Sequence, residues 1–460
     1  MHGDRAKGLK NRALLKKDRA MYRGKNRDEK YLFEELMPFG GQLAEGNRWL
    51  KIKGLIPWGE LERQYASYFS GRGRPGLDGR LVIGLFLLKH MTVLSDVGVV
   101  LELQENVYWQ AFCGMEQFET GKKLDASSLT KIRHKLGPKF VKELETKTYR
   151  VLIEKKIIRG KGMLVDATVM PEKIRYPNDV GLLNDVREWA VGWLREIVVK
   201  TGEKVRTYRR KARKLFLNFS KKKLKTRRMI ERTKKQMLQY VRRNLEQLKA
   251  RVGQLDYLIR KEVEERLKVG EKIYEQQKRM YDEKVQRCEA RIVSWWREYV
   301  RPIKRGKSGG KEVEFGPKVC LSHVDGFTFL DEFSHENYSE ARVDIIEKQI
   351  KNYEERFGQK PPSMTGDQLY GNRENRELLK AREIRSAFKP LGRKGEESER
   401  RERYLRRKQR ERNRIEGDIG NLKEHYGCDG IRYHYVEGGE MWVRLGLLAK
   451  NLKAAAARMA

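Results

Sequence analysis

Residues 162–170, GMLVDATVM, form a short apolar run rich in β-branched side chains with a single acid, Asp166, inside it. The run reads as a buried strand. A lone carboxylate in a sheet interior is costly unless it is paired, hydrogen-bonded or bound to a metal ion. Any fold for this chain has to resolve Asp166. A second acid, Asp367, follows the apolar start of SMTGDQLYG (363–371), at the strand end where open α/β sheets place their sites. Taken singly, a strand-end aspartate is ordinarily a cap or turn residue. Two of them on strands of one sheet weaken that reading.

The neighbouring segments supply the rest of a sheet. KVCLSHVDGFTFLDEFS (318–334) places Asp325-Gly326 between two apolar stretches, the signal of a hairpin closed by a type I′ turn. ENYSEARVDIIEKQIKNYEERFG (336–358) predicts an amphipathic helix ended by Gly358, IRSAFKP (384–390) a further strand, and about 398–426 a long charged helix. Strand, hairpin, helix, strand, helix, strand, helix is an α/β order with a mixed sheet. In the last helix Ile415, Ile419, Leu422 and Tyr426 make one apolar stripe, and Glu416 lies about 100° around from Ile415. Arg412 and Lys423 fall on the same side as Glu416. That arrangement is also what a plain surface ion pair at i, i+4 looks like.

The flanking regions are helical and basic. Residues 1–30 carry many charges and little to bury, and read as a flexible arm that is either simply disordered or in contact with a polyanion. Residues 31–150 have helical periodicity: LVIGLFLLKH (81–90) is a buried helix, DVGVVLELQENVYWQAFCG (96–114) continues with helical spacing, and Asp125-Ala-Ser-Ser128 offers N-cap residues to a short basic helix, LTKIRHKLG. Such a domain suits docking on DNA, and equally well an ordinary helical domain with a solvated basic face. Between strand 162–170 and the hairpin lies a helical insertion, 181–315. Val241, Leu245, Leu248, Val252, Leu255 and Ile259 alternate steps of four and three, the seam of a coiled coil or helical hairpin, with Gly270 a break before a second arm ending near Trp295-Trp296. Residues 201–250 hold 19 Lys or Arg and three acids. A solvated coiled-coil surface mixes signs, so this excess favours a rod lying along DNA phosphates. The segment 304–311, KRGKSGGK, reads as a flexible linker. The expected domains are thus an arm (1–30), a helical DNA-binding domain (31–150), a catalytic domain (151–180 with 316–460) and the basic insertion (181–315).

The whole chain of 460 residues sets 102 Lys and Arg against 64 Asp and Glu, a formal charge of +38, which attracts polyanions and names nucleic acid as the partner class without naming a reaction. Cys113, Cys288, Cys320 and Cys428 are far apart and form no C-x-x-C pair, so neither a disulfide framework nor a zinc knuckle is expected. The basic N-terminus lacks an apolar core for a secretory signal, and the longest apolar run, Leu81 to Leu88, is too short to span a bilayer. A cytoplasmic protein without a membrane partner is expected. Three carboxylates with no suitable histidine or cysteine imply hard, oxygen-ligated cations, Mg²⁺ or Mn²⁺. Two such ions about 4 Å apart support in-line displacement at a phosphodiester, with water or a 3′-hydroxyl as the attacking group.

These blocks resemble the DDE insertion-sequence transposases of bacteria, in particular the group with a Tyr-Arg-Glu-Lys signature, Y-x-x-R-x-x-x-E with a lysine seven positions on. Arg412, Glu416 and Lys423 match it, and Gln409 stands where the tyrosine is expected. VDATV with Asp166, TGDQLYGNRENRELL with Asp367 and RIEGDIGNLKEHYG (414–427) are similar to the three acid blocks, while RYPNDVGLLNDVRE (175–188) and GRPGLDGRLVIGLFLLKHMTVLSD from Gly73 are similar to other stretches. The resemblance implies a ribonuclease-H-like mixed-sheet catalytic core and two Mg²⁺ (or Mn²⁺) ions per site held by Asp166, Asp367 and Glu416, with Arg412 and Lys423 as catalytic partners at the phosphate. It further implies binding of terminal inverted repeats and target DNA as double strands, a homodimer bridging two transposon ends, and work at the bacterial nucleoid. The basic side chains expected at DNA are Arg74, Lys131, Arg133, Arg209, Arg210, Lys221, Lys222, Arg227, Arg228, Arg373, Arg412 and Lys423. A catalytically silent DNA-binding derivative and another ribonuclease-H-like nuclease are the competing readings; the three intact acids and the large basic insertion count against them.

Overall fold

The computed structural model describes residues 38–69, 76–121, 124–304, 313–389, 391 and 399–459. The arm, Arg74 and most of the linker 304–311 lie outside them. The chain is a mixed α/β protein that divides into two compact units: one takes the described parts of 1–170, 318–334 and 338–460, the other 171–317 and 335–337.

In the first unit, strand β1 (Met163–Val169) is followed, after the residues of the second unit, by β4 (Lys318–Val324), β5 (Phe327–Ser334), β6 (Ser363–Thr365) and β7 (Arg385–Ser386). β2 (Pro302–Lys304) and β3 (Val313–Phe315) form a separate two-stranded ribbon in the second unit. The sheet order is β5-β4-β1-β6-β7. β4 runs antiparallel to both β1 and β5, with Asp166 opposite Leu321, whereas β6 is parallel to β1 and to β7. The hairpin turn is the predicted one: Asp325 and Gly326 adopt φ of 51° and 86°, the two positive values a type I′ turn needs. Helix Val343–Phe357 is closed by Gly358 at φ 67°. It begins seven residues later than the amphipathic pattern from 336 suggests; within those residues Glu340 pairs with Lys318 on β4.

The helices of 48–154 share a single hydrophobic core with this sheet. Phe86, Phe140 and Leu144 belong to the same buried cluster as Val165, Phe329, Trp442 and Leu448. The boundary expected near residue 150 is therefore no boundary between compact units. Asn106 explains why 96–114 makes two helices rather than one. Its extended backbone ends Asp96–Glu105, and its side chain accepts from Trp109 N at 3.2 Å to cap Val107–Phe112. The basic helix expected after Asp125 does not stop at Gly137. There the backbone turns through φ 65°, beside Pro138, which cannot donate, and the helix resumes to Glu154.

The element that the pattern reading passed over is the helix Gly438–Arg458, most of which is buried. Its polar residues fasten it from several sides. Arg444 bonds Glu145 at 2.5 Å and Glu440 at 2.8 Å. Asn451 bonds the Thr328 backbone at both N and O, and the Tyr149 hydroxyl at 2.8 Å. Lys450 bonds Asp418 at 2.9 Å. Asp418 sits on helix Glu399–His425 and also takes His323 of β4 and Thr328 of β5. One carboxylate thus joins two helices to the hairpin. No single described helix is long and apolar enough to cross a membrane.

In the second unit, helices Asp179–Thr201, Arg227–Lys249 and Tyr257–Asp282 pack on one another around Val186, Leu194, Met237, Val241, Leu245, Leu267 and Trp295, with Arg209–Ser220 beside them. The apolar period from 241 does not mark one continuous seam. Val241, Leu245 and Leu248 face the core from one helix, while Val252 and Leu255 plug the corner after it. Ile259 on the next helix is exposed. Gly270 is no break. It lies inside Tyr257–Asp282, where an added Cβ would meet Leu245 at 3.2 Å and Val186 at 3.3 Å, so its smallness lets helices approach.

Burial raises the Asp418 carboxyl pKa, but the hydrogen bonds and charges of His323 and Lys450 outweigh it and hold the carboxyl down at about 2. Because this folded value lies below the unfolded one, the stabilisation, about 2 kcal/mol, is full above about pH 4 and drains away as pH falls towards 2. Asp418→Asn is expected to flatten the acid limb of an unfolding profile, and Asp418→Ala to cost about 3 kcal/mol in denaturant titrations.

Candidate active site

Asp166 stands past the point where β6 leaves off. β6 pairs only with Met163 and Leu164, so from Asp166 onward β1 has β4 on one side and the end of the parallel pair on the other. Its carboxylate is half-buried and accepts from Ala167 N at 2.8 Å. Burial raises its pKa, the Ala167 amide opposes this, and the negative charges of Asp367 and Glu416 raise it further against the pull of Arg412. Asp166 thus lies within electrostatic reach of the other two acids and of the arginine.

Each is placed by a different device. Asp367 follows β6 by two residues, and its Oδ1 accepts from Leu369 N at 2.8 Å and Tyr370 N at 3.4 Å, capping the turn Leu369–Gly371. The ordinary role of a strand-end aspartate is thus present here, alongside its proximity to Asp166. Beneath the turn the Tyr370 ring is fully buried, and burial drives its hydroxyl pKa well up. Glu416 rides on helix Glu399–His425, which packs on β1 and β6 through the buried Ile415 and Leu422. Glu416 itself is exposed and pairs with Arg412 at 3.0 Å. Lys423, two turns on, is half-buried. Gln409 donates to Ala387 O at 3.2 Å, so the side chain at the expected tyrosine position tethers the helix beside β7.

The donor set is all oxygen, which suits a hard divalent cation. Burial and two like-charged neighbours oppose ionisation of Asp166, an imbalance that such a cation would relieve. Among the described residues, no three such side chains lie close enough to hold one ion jointly. The residues fit the group by donor chemistry and by the negative charge that bears on Asp166.

The expected DNA-contacting residues divide. Lys131 and Arg373 are exposed, as are Arg209, Arg210, Lys221, Lys222, Arg227 and Arg228 in the second unit, Arg227 in a pair with Glu231 at 3.0 Å. Arg133 is a correction. It is only 2% exposed, binds Asp96 with both terminal nitrogens (2.9 and 2.6 Å) and stacks on Tyr433 at 4.2 Å, so it is a core residue of the first unit. Its helical position showed this, since it shares a face with the buried Leu129, Leu136 and Phe140. Two of the buried ionic groups that were not foreseen stand out. One is the Asp418 cluster; the other, in the second unit, is Glu172, whose carboxyl pKa is pushed up to about 7 by burial against the pull of Arg297.

The family described as a transposase domain (DUF772) matches residues 38–135, and the family described as a transposase DDE domain matches residues 364–433, a span that includes Asp367, Arg412, Glu416 and Lys423. Both families are described as transposase domains, and in these two segments the chain is similar to the DDE-type insertion-sequence transposases. The uncharacterized protein ORF8 in the nfe locus of Rhizobium meliloti is 35% identical over 133 residues, which are 28% of this chain and 64% of that protein. The match therefore spans less than two thirds of that relative. No solved structure matches the chain.

Since burial and like charge both work against an ionised Asp166, Asp166→Asn is expected to raise the melting temperature at neutral pH in the absence of divalent cations. Added Mg²⁺ or Mn²⁺ should raise the melting temperature of the parent protein and leave that of the variant unchanged. An unchanged parent melting temperature across a cation titration would count against the site.

Proposed function

We propose that the chain is an active transposase that cuts DNA at the terminal inverted repeats of its element and joins the freed 3′ ends to target DNA. The observation that carries this reading is the charge of Asp367, Glu416 and Arg412 acting on Asp166, which lies on β1 just past the end of its parallel pairing with β6. The order β5-β4-β1-β6-β7, with an antiparallel hairpin on one side of β1 and parallel strands on the other, supports a ribonuclease-H-like core. Arg412, Glu416 and Lys423 support the Tyr-Arg-Glu-Lys group, with Gln409 in the tyrosine's place.

In this reading Asp166, Asp367 and Glu416 would hold two Mg²⁺ or Mn²⁺ ions, which would supply polarisation of the attacking oxygen and stabilisation of the leaving one. The chain's own groups do the positioning. The strand ladder fixes Asp166, the Leu369 and Tyr370 amides orient the Asp367 carboxylate, and Ile415 with Leu422 seats the helix that presents Glu416. Arg412 keeps Glu416 oriented through their ion pair, and its planar guanidinium with the Lys423 ammonium would orient a phosphodiester. The exposed basic surface of the second unit would follow the DNA backbone, a homodimer would bridge two element ends, and the work would be done in the cytoplasm at the nucleoid.

The test is cleavage of a duplex carrying the element's terminal repeats, with and without divalent cation. Asp166→Ala, Asp367→Ala and Glu416→Ala are each expected to cut the rate by about a hundredfold or more. Asp166→Ala cleaving as fast as the parent would overturn the assignment of the acids. A product joined through its 3′ end to target DNA separates strand transfer from simple hydrolysis.

A further inference from the structure

In the second unit three cations converge on one aromatic ring. The guanidinium of Arg243 lies 4.5 Å from the centre of the Tyr208 ring, that of Arg206 lies 4.8 Å away and the Lys211 ammonium 6.0 Å. All three cations are exposed, and Tyr208 is half-exposed. None of the three has a carboxylate partner among the described residues. The acids nearby in sequence are engaged elsewhere: Glu203 by Arg251 and Gln254, both at 2.8 Å, and Glu246 by Arg242 at 3.9 Å.

The cluster is held in place rather than merely crowded. Gln247, on the same helix as Arg243, donates to Arg206 O at 3.3 Å, and the Glu203 contacts fasten the start of the same segment to the corner after that helix. Tyr208 sits at φ 52°, a left-handed conformation that a tyrosine rarely adopts, at the point where helix Arg209–Ser220 begins. Tyr240 stands beside it with ring centres 6.1 Å apart. Like charges around one ring repel, and the ring's negative face offsets only part of that. A bound anion offsets the rest. A guanidinium stacked on a ring keeps its donors in a fixed plane, the arrangement that recognises phosphate oxygens in pairs.

We propose that Arg206, Lys211 and Arg243, organised around Tyr208, form a specific anchor for one stretch of the sugar-phosphate backbone of duplex DNA on the second unit. A polyanion is favoured over a single small phosphate because the cations continue along the chain through Arg209, Arg210 and Lys214, all exposed. The anchor rests on the DNA-acting reading above and adds to it a named site on the second unit.

The test measures binding of the full chain to a short fluorescent duplex, and to the same strand alone, across a salt series. The double variant Arg206→Gln/Arg243→Gln should bind the duplex about tenfold more weakly and lower the log–log salt slope by about two. The control Arg260→Gln/Lys278→Gln loses the same charge from side chains that are paired with Glu264 and Asp282 at 2.7 and 2.6 Å, and should keep the parent slope. Tyr208→Phe, which retains the ring, should bind like the parent, while Tyr208→Leu should bind several-fold more weakly with unchanged circular dichroism. A double variant with the control's slope overturns the anchor alone. Weaker binding to single strands with duplex binding intact overturns it in favour of base stacking. A parent that binds no DNA overturns both the anchor and the reading beneath it.

Discussion

Asp418 is the point on which the second half of the first unit depends. A half-buried carboxylate is tolerable when it is paired on several sides, and here Lys450, His323 and Thr328 supply the partners from one helix and two strands. The consequence reaches the site because Asp418 lies two residues beyond Glu416 on the same helix. With Ile415 and Leu422 buried on one side and Asp418 tied to the hairpin, the helix has little freedom to rotate. Glu416 is left at the rim facing Arg412, exposed itself but carried by a firmly held backbone.

The three acids are held with unequal firmness. Asp166 belongs to a strand paired through seven residues with β4, and its position cannot shift without disturbing the sheet. Asp367 is oriented by two backbone amides of a short turn. Glu416 is steered by a single ion pair with a side chain one turn away. Such a surface pair is worth little energetically. The side chain of Glu416 is therefore the adjustable member of the set, able to trade its arginine for another cation at small cost.

What could be read from residues alone was what depends on local chemistry. The strand around Asp166, the Asp325-Gly326 turn and the helix stop at Gly358 each follow from a few adjacent side chains and recur in the structure. What could not be read depends on the partner surface. The apolar steps at Val241, Leu245, Leu248, Val252 and Leu255 are the same whether a helix runs on or turns a corner, because a corner also needs plugging. Gly270 carries the signature of a break, yet serves as a contact point between helices. Gly438–Arg458 mixes Arg444, Lys450 and Asn451 into an apolar helix, which obscures its stripe until Glu145, Asp418 and Thr328 are seen to receive them. The site acids were legible as residues in strands and a helix; the backbone amides that orient Asp166 and Asp367 were not.

The basic residues of the sequence fall into two populations with different meanings. In the first, cations such as Arg133, Lys89 and Arg444 are buried and each is matched to a carboxylate, so they serve packing and contribute nothing to an outward field. In the second, Arg209, Arg210, Lys221, Lys222 and Arg228 stand exposed in a stretch with 19 basic residues and three acids. Counting charges over the whole chain merges these populations, and that is why Arg133 looked like a surface residue. Separating them by burial removes Arg133 from the cations that face solvent and leaves those of the second unit among them. Backbone attraction is long-ranged and insensitive to sequence, whereas chemistry at phosphorus requires positioning to a fraction of an ångström. A tightly paired interior around Asp418 and an unneutralised surface elsewhere in the chain suit those two requirements separately.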